Sequence, residues 1–206
     1  QLSKYIPIFK EFRDINDCWF IQIIKRRKDN PGLKRNEKLI ENFFINGRTD
    51  LLEKKDKIIE LCETNNARAY FRVNRRNYRK ISMYMMKGLA DHIITGNYKD
   101  CRSIFLRTCG QYHSEDNKKW IVDIDEGTDD LYVKQVINSL YTEEQNIMEV
   151  PTVSGIHLVV NPFNLQIFYK HCPNVDVHKD NPTLLYFKKL NNEEFSDNVL
   201  NEYCIL

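Results

Sequence analysis

The run Lys119-Trp-Ile-Val-Asp-Ile-Asp125 constrains this chain more than any other stretch, because it is an apolar segment ending in two aspartates separated by one residue. In a strand, alternate side chains share a face. Asp123 and Asp125 therefore project together with Ile121, while Val122 and Ile124 point the other way. Two adjacent like charges gain nothing from a dry core, so the pair either lies on a wet edge or holds a divalent cation.

A chain of 206 residues that is 42% hydrophobic can bury a substantial core without disulfides or metal staples, and a single bilobed domain over 1–206 is expected. The 31 basic and 29 acidic residues leave a formal charge of only +2, yet they are unevenly spread. Lys and Arg cluster in the first half, and acids concentrate around 115–149. That asymmetry suits a polyanion handled with metal, and equally an ordinary solvated surface. Six cysteines (Cys18, Cys62, Cys101, Cys109, Cys172, Cys204) are scattered with no CxxC pair. With neither a signal peptide nor a membrane-length apolar run, a reduced, cytoplasmic protein with no membrane contact is expected.

Along the chain, Cys18 to Ile24 reads as a strand leading into the basic run Lys25 to Lys28 and a turn at Asp29-Asn-Pro-Gly32. Leu39, Phe43 and Phe44 have helical spacing. A helix over 51–64 and a strand over 67–73 follow. Ile81, Met85, Leu89 and Ile93 recur at fours, giving an amphipathic helix from Tyr78 to about Thr95, with Met83, Met85 and Met86 read as core filling. A further helix is expected over 100–109. Beyond the double-aspartate strand come a helix over 129–141, an extended segment over 147–151, a strand over 156–160 and a helix over 162–171. A strand pair at Val175-Asp-Val177 and Thr183 to Phe187 follows, then an acidic tail, Asn191 to Asp197.

The fold class predicted is α+β with a central, mainly antiparallel sheet. Residues 1–110 form an N-terminal α/β module with a basic strand. Residues 111–206 run strand, helix, strand, strand, helix, strand, the split βαβ rhythm of ferredoxin-like and RNA-recognition-like folds.

Hard cations prefer carboxylate oxygens, which makes Asp123 and Asp125 candidate ligands for Mg²⁺ or Mn²⁺. The continuation Glu126-Gly-Thr-Asp-Asp130 lacks the closing Glu of an EF-hand, Lys134 standing there instead, and reads as a turn and helix cap. His157 follows Ser154-Gly155 inside an apolar strand. It is either a phosphate contact, with glycine permitting close backbone approach, or a core histidine with one satisfied nitrogen. Asp176, in Val175-Asp-Val177, is a further acid on a short apolar strand. Arg68, Arg72, Arg75, Arg76, Arg79 and Lys80, interleaved with Tyr70, Phe71 and Tyr78, form either a nucleic-acid or nucleotide contact or a solvated surface. Neither Cys101, Cys109 and His113 nor His171, Cys172 and His178 matches a zinc finger or knuckle. No GxGxxG, P-loop or nucleophile elbow is present.

Taken in order, an arginine-bearing strand (Tyr70-Phe-Arg-Val-Asn-Arg75), Val122-Asp-Ile-Asp125, Ser154-Gly-Ile-His157 and Val175-Asp-Val177 resemble the catalytic core of the archaeo-eukaryotic primase superfamily, over roughly residues 66–190. The resemblance implies that Asp123, Asp125 and Asp176 hold two Mg²⁺ or Mn²⁺ ions. It implies that His157, with Ser154 beside it, meets the phosphates of an incoming nucleotide, and that Arg72, Arg75 and Arg76 contact nucleotide or template. Asp180 in Val177-His-Lys-Asp180 rivals Asp176 as the third acid. The chain is short for that family and has no evident zinc module or helicase domain.

The function expected is thus a metal-dependent nucleotidyltransferase of primase–polymerase type, phage or mobile-element in character. It would use nucleoside triphosphates on a single-stranded template, with a helicase or other replication protein as partner. The alternatives are a non-catalytic nucleic-acid-binding accessory protein and a metal-dependent nuclease.

Overall fold

The computed structural model describes residues 14–111, 118–142 and 147–188. His113, Cys204 and the acidic tail lie outside them. The described chain is α+β, with two antiparallel sheets rather than one and helices against both.

The first sheet grows around β1 (Asp17–Arg26), whose consecutive apolar residues Cys18-Trp-Phe-Ile21 put hydrophobic side chains on both faces and suit it to burial on both. It pairs with β2 (Glu37–Ile45), β3 (Arg68–Arg72) and the two-residue β4 (Arg76–Asn77). The segment carrying Leu39, Phe43 and Phe44 is thus strand β2, not a helix. Its β-branched and aromatic residues gain more from the β1 ladder, where Phe20 meets Phe44 and Ile21 meets Phe43, than from helical stacking.

β1 divides two cores. Trp19, Ile21 and Ile23 face α1 (Arg48–Asn65) through Leu51, Ile58 and Cys62. Phe20 faces the other way, onto Ile81 of α2 (Tyr78–Ile94) and Cys109 of α3 (Cys101–Gln111). The methionine reading needs correcting here: Met83 and Met86 are 60% and 70% exposed on the outer side of α2. Only Ile81 of that helix is buried, where one side of α2 meets Phe20, α3 and β4.

The second sheet is built from β5 (Trp120–Asp125), α4 (Asp130–Ser139), β6 (Met148–Pro151), β7 (Gly155–Val160), α5 (Leu165–His171) and β8 (Asp176–His178). Its order is β6-β7-β5-β8, every pairing antiparallel. Val122, Ile124, Leu158 and Val160 pack beneath Val133, Val136 and Ile137 of α4 and Phe168 of α5. The opposite face sends Ile121, Val150 and Val159 into the core of the first sheet. β9 (Pro182–Tyr186) then leaves this unit and pairs with β3. The expected strand pair is accordingly split between sheets, β8 bonding to β5 and β9 to β3.

Among the described residues no helix is long and apolar enough to cross a membrane. The described cysteines are free, with Cys18, Cys62, Cys109 and Cys172 buried and Cys101 exposed.

Candidate functional site

Alternation along β5 sorts the double-aspartate run as its sequence dictates. Val122 and Ile124 are buried under the helices, and Asp123 stands beside Ile121 on the face turned to the first sheet. Asp129 caps α4 by accepting from the Tyr132 N–H, so the acidic stretch after Asp125 is turn and cap. β5 is held to β7 at this end by Gly155. A Cβ there would stand 2.0 Å from the Ile124 carbonyl oxygen, so only glycine permits the approach. The Ser154 carbonyl accepts from the Glu126 N–H at 2.8 Å, closing the pair beyond Asp125.

That register sets His157 directly opposite Asp123 on β7, and Asp176 directly opposite Asp123 on β8. Directly opposed residues share a face, so His157, Asp123 and Asp176 form one row across neighbouring strands. His157 Nε2 lies 3.2 Å from Asp123 Oδ1. Its Nδ1 lies 2.7 Å from the Thr183 hydroxyl, which comes from β9 of the other sheet and is fully buried. When Thr183 donates to Nδ1, the ring proton sits on Nε2 and points at Asp123. The hydrogen bond from His157 is the main reason the Asp123 carboxyl is held below the usual carboxylate range, against the opposing pull of burial.

His178 Nε2 stands 4.0 Å from the other Asp123 oxygen, and both side chains are 34% exposed. Lys28, in the short 3₁₀ turn after β1, adds its charge to the same site. It helps lower Asp123, and Asp125 in turn favours charged Lys28, although burial and the neighbouring Arg68 and Arg26 pull the Lys28 pKa down. Asp125, Asp176 and Ser154 are exposed at the rim.

The arginines go elsewhere. Arg68 is spent on a bidentate pair with Asp29, at 2.7 and 2.6 Å. Arg75 lies 3.5 Å from Asp17. Arg76 is fully buried and donates to the carbonyls of Cys109, Asn74 and Gly110 and to Asp180 Oδ2 at 3.0 Å. Arg72 donates to the Asp180 carbonyl. Burial first, and then the charge of Arg76, draw the Arg72 pKa down to about 10, which leaves it a cation at neutral pH. Phe71 shares its sheet face with Thr183, and so with the acid row, whereas Arg72 points to the opposite face. The expectation of ligand contact is corrected for Arg76, which is fully buried and whose three guanidinium nitrogens each donate within the junction.

Asp180 belongs to that junction. Its Oδ1 accepts from Asn74 at 2.9 Å, and Asn74 also bridges to the Lys119 backbone at the start of β5. Between the two candidates for third acid, Asp180 is therefore occupied as a latch, and Asp176 lies in register with Asp123.

Among the described residues no three or more His, Cys, Asp or Glu side chains stand gathered around a single cation position. The donor type is nonetheless the one a hard cation prefers: Asp123, its carboxyl lowered, and exposed Asp125 and Asp176 on the same sheet carry carboxylate oxygens. Reasoning from sequence did not place Thr183, His178 or Lys28 beside Asp123. Thr183 and Lys28 reach the site only through the stacking of the sheets. His178 left a readable trace, since Asp176-Val-His178 repeats the every-other-residue spacing of Asp123-Ile-Asp125.

No family model matches the chain, and no curated protein or solved structure matches it.

Proposed function

We propose that the chain is a metal-dependent nucleotidyltransferase of primase–polymerase type, joining nucleoside triphosphates on a single-stranded nucleic-acid template. The observation that carries this reading is the row of His157, Asp123 and Asp176 across β7, β5 and β8, with Asp125 two residues beyond Asp123 on the same strand. The element order of the second sheet and its β6-β7-β5-β8 arrangement support an RNA-recognition-like unit as its frame.

In this reading Asp123, Asp125 and Asp176 hold two Mg²⁺ or Mn²⁺ ions, which when bound neutralise triphosphate charge and activate an attacking hydroxyl. His157 holds a proton on Nε2 and donates it as a hydrogen bond to a phosphate oxygen once one displaces Asp123, while Thr183 keeps the ring in place. Ser154 stands beside it at the exposed strand entrance. The two sheets position these groups and keep water from the apolar side, and positioning with charge neutralisation accounts for most phosphoryl-transfer catalysis. Arg72 and Arg75 belong to the framework around the site.

The test is extension of a labelled primer on a single-stranded template with nucleotides and Mg²⁺ or Mn²⁺. Product formation by the wild type, reduced about a hundredfold or more in Asp123→Asn, is expected of a carboxylate that holds the ion. No product under any template, nucleotide and metal combination overturns the reading, and shortening of the strand makes the site a nuclease.

One observation favours a second reading, a non-catalytic nucleic-acid-binding protein. Asp123 is already satisfied by His157, while Arg79, Lys80 and Lys87 of α2 and Arg102 and Arg107 of α3 are exposed on the helical side. It requires salt-dependent single-strand binding that survives Asp123→Asn and weakens when these cations are replaced.

A further inference from the structure

Of the twelve large apolar or aromatic side chains exposed among the described residues, five lie on α2: Met83, Tyr84, Met86, Ile93 and Ile94. Scattered singly they would need no explanation, but gathered on one helix they mark an interaction surface. Met83, Met86, Ala90 and Ile93 recur at steps of three, four and three, which sets them in one line along the helix, and all four are exposed. Ile81, Met85, Leu89 and His92 form a separate, inward line, buried or half-buried. Ile81 meets Phe20 and Cys109 there, and Gly88 lets α3 approach so closely that a Cβ would stand 2.9 Å from Ile104 Cγ2. The helix is thus apolar on two sides, and the fold covers one of them. Four successive positions at heptad spacing are the seam that a partner helix fills.

The charges beside the outer line select the partner. Arg79 and Lys80 stand one turn before Met83, Lys87 stands one turn after it, and all three are exposed. Asp91 is the only acid in the helix. A basic rim around an apolar line complements an acidic partner, whereas a second copy of this chain would set the rim against itself. Single-stranded nucleic acid would use the cations and leave the methionines and isoleucine between them without a role, because bases stack on aromatic side chains.

We propose that the outer face of α2 docks an acidic amphipathic helix of another protein, its apolar residues seated on Met83, Met86, Ala90 and Ile93 and its carboxylates against Arg79, Lys80 and Lys87. Helix-on-helix docking of this kind is read through anchors three and four residues apart. Unbranched methionines suit it because they adapt to the shape of the incoming side chains. The proposal goes beyond the nucleotidyltransferase reading and stands independently of it.

The experiment uses the full chain and three labelled synthetic peptides, followed by fluorescence anisotropy. One carries leucine at heptad a and d positions with glutamate beside them, the second replaces those glutamates by lysine, and the third scrambles the leucines off the line. Wild type is compared with Met86→Ser/Ile93→Ser, Lys87→Glu and, as a control on the exposed side of α4, Leu131→Ser. All four positions are exposed, so the folds should persist, and thermal melts check this. The glutamate peptide should bind about tenfold or more tightly than the other two. Met86→Ser/Ile93→Ser should weaken it about tenfold or more, Lys87→Glu should narrow its advantage over the lysine peptide, and Leu131→Ser should change it less than about twofold. Equal binding of the three peptides, or glutamate-peptide binding untouched by Met86→Ser/Ile93→Ser, overturns the proposal. Sedimentation of the wild type as a dimer that Met86→Ser/Ile93→Ser dissociates gives the face to a second copy and also overturns it. So does an equal loss of single-stranded oligonucleotide binding in that variant, which gives the face to nucleic acid.

Discussion

His157 and Asp123 face each other across neighbouring antiparallel strands, Nε2 to Oδ1 at 3.2 Å, and the far side of the same imidazole is anchored to the opposite sheet through Thr183. One ring therefore ties the candidate catalytic strand to both halves of the fold.

A pH dependence follows from this pair. The Asp123 carboxyl is lowered, first by the hydrogen bond from His157 and against the pull of burial, with further help from the charges of His157, His178 and Lys28. A carboxyl whose folded pKa is depressed adds stability above its unfolded pKa of about 3.9, and loses it as the pH falls through the folded value. Carboxyl-carbon NMR should show Asp123 titrating below ordinary aspartates. His157→Gln should move the midpoint upward, because burial then meets less opposition. An unchanged midpoint in that variant would refute the pairing.

Gly155→Ala should be among the most damaging small substitutions. The new methyl would lie 2.0 Å from the Ile124 carbonyl oxygen, so β5 and β7 must separate at the Asp125 end. A loss of about 2–4 kcal/mol is expected in urea unfolding, with metal or nucleotide binding reduced in whatever protein remains folded. Retention of wild-type stability would mean the strands are not this close.

Asp180→Ala should cost about 3–5 kcal/mol, because it strands the fully buried Arg76 guanidinium without its anionic partner and releases Asn74 from one of its bonds. Pairing it with Arg76→Met should recover part of the loss, since removing both charges abolishes the unpaired one. A double-mutant cycle in denaturant reads the coupling. Additive losses would show that the two are not one unit.

Thr183→Val keeps the shape of a buried residue and removes the hydroxyl bound to His157 Nδ1. The expected cost is about 1–2 kcal/mol of stability. A larger relative fall in nucleotide incorporation than in stability is also expected, because the ring loses its tautomer control. Equal activity of Thr183→Val and wild type would make the hydroxyl a packing group only.

Much of the local structure could be read from the residues themselves. Period-two alternation in Ile121 to Asp125 assigned each side chain to the correct face, and fourfold spacing located α2 within a residue or so of its ends. The same reasoning misread Leu39, Phe43 and Phe44, because a few apolar residues on a strand satisfy helical spacing by accident, and the β1 partner that makes them a strand lies elsewhere in the chain. It also buried Met83 and Met86, since periodicity identifies an apolar residue without supplying anything to cover it.

The candidate site divides in the same way. Asp123, Asp125, Asp176 and His157 were visible in sequence because carboxylates and imidazole inside apolar strands are costly unless they are used or paired. That cost is local, and a short motif displays it. What Arg76, Asp180, Thr183, His178 and Lys28 do was decided only when the two sheets came together. Arg76 and Asp180, far apart in the chain, became a buried junction, β9 crossed to the first sheet carrying Thr183, and His178 joined Asp123 through a strand pairing. Side-chain chemistry and strand period are written residue by residue, whereas partnership depends on register and sheet stacking, which exist only after distant segments have paired.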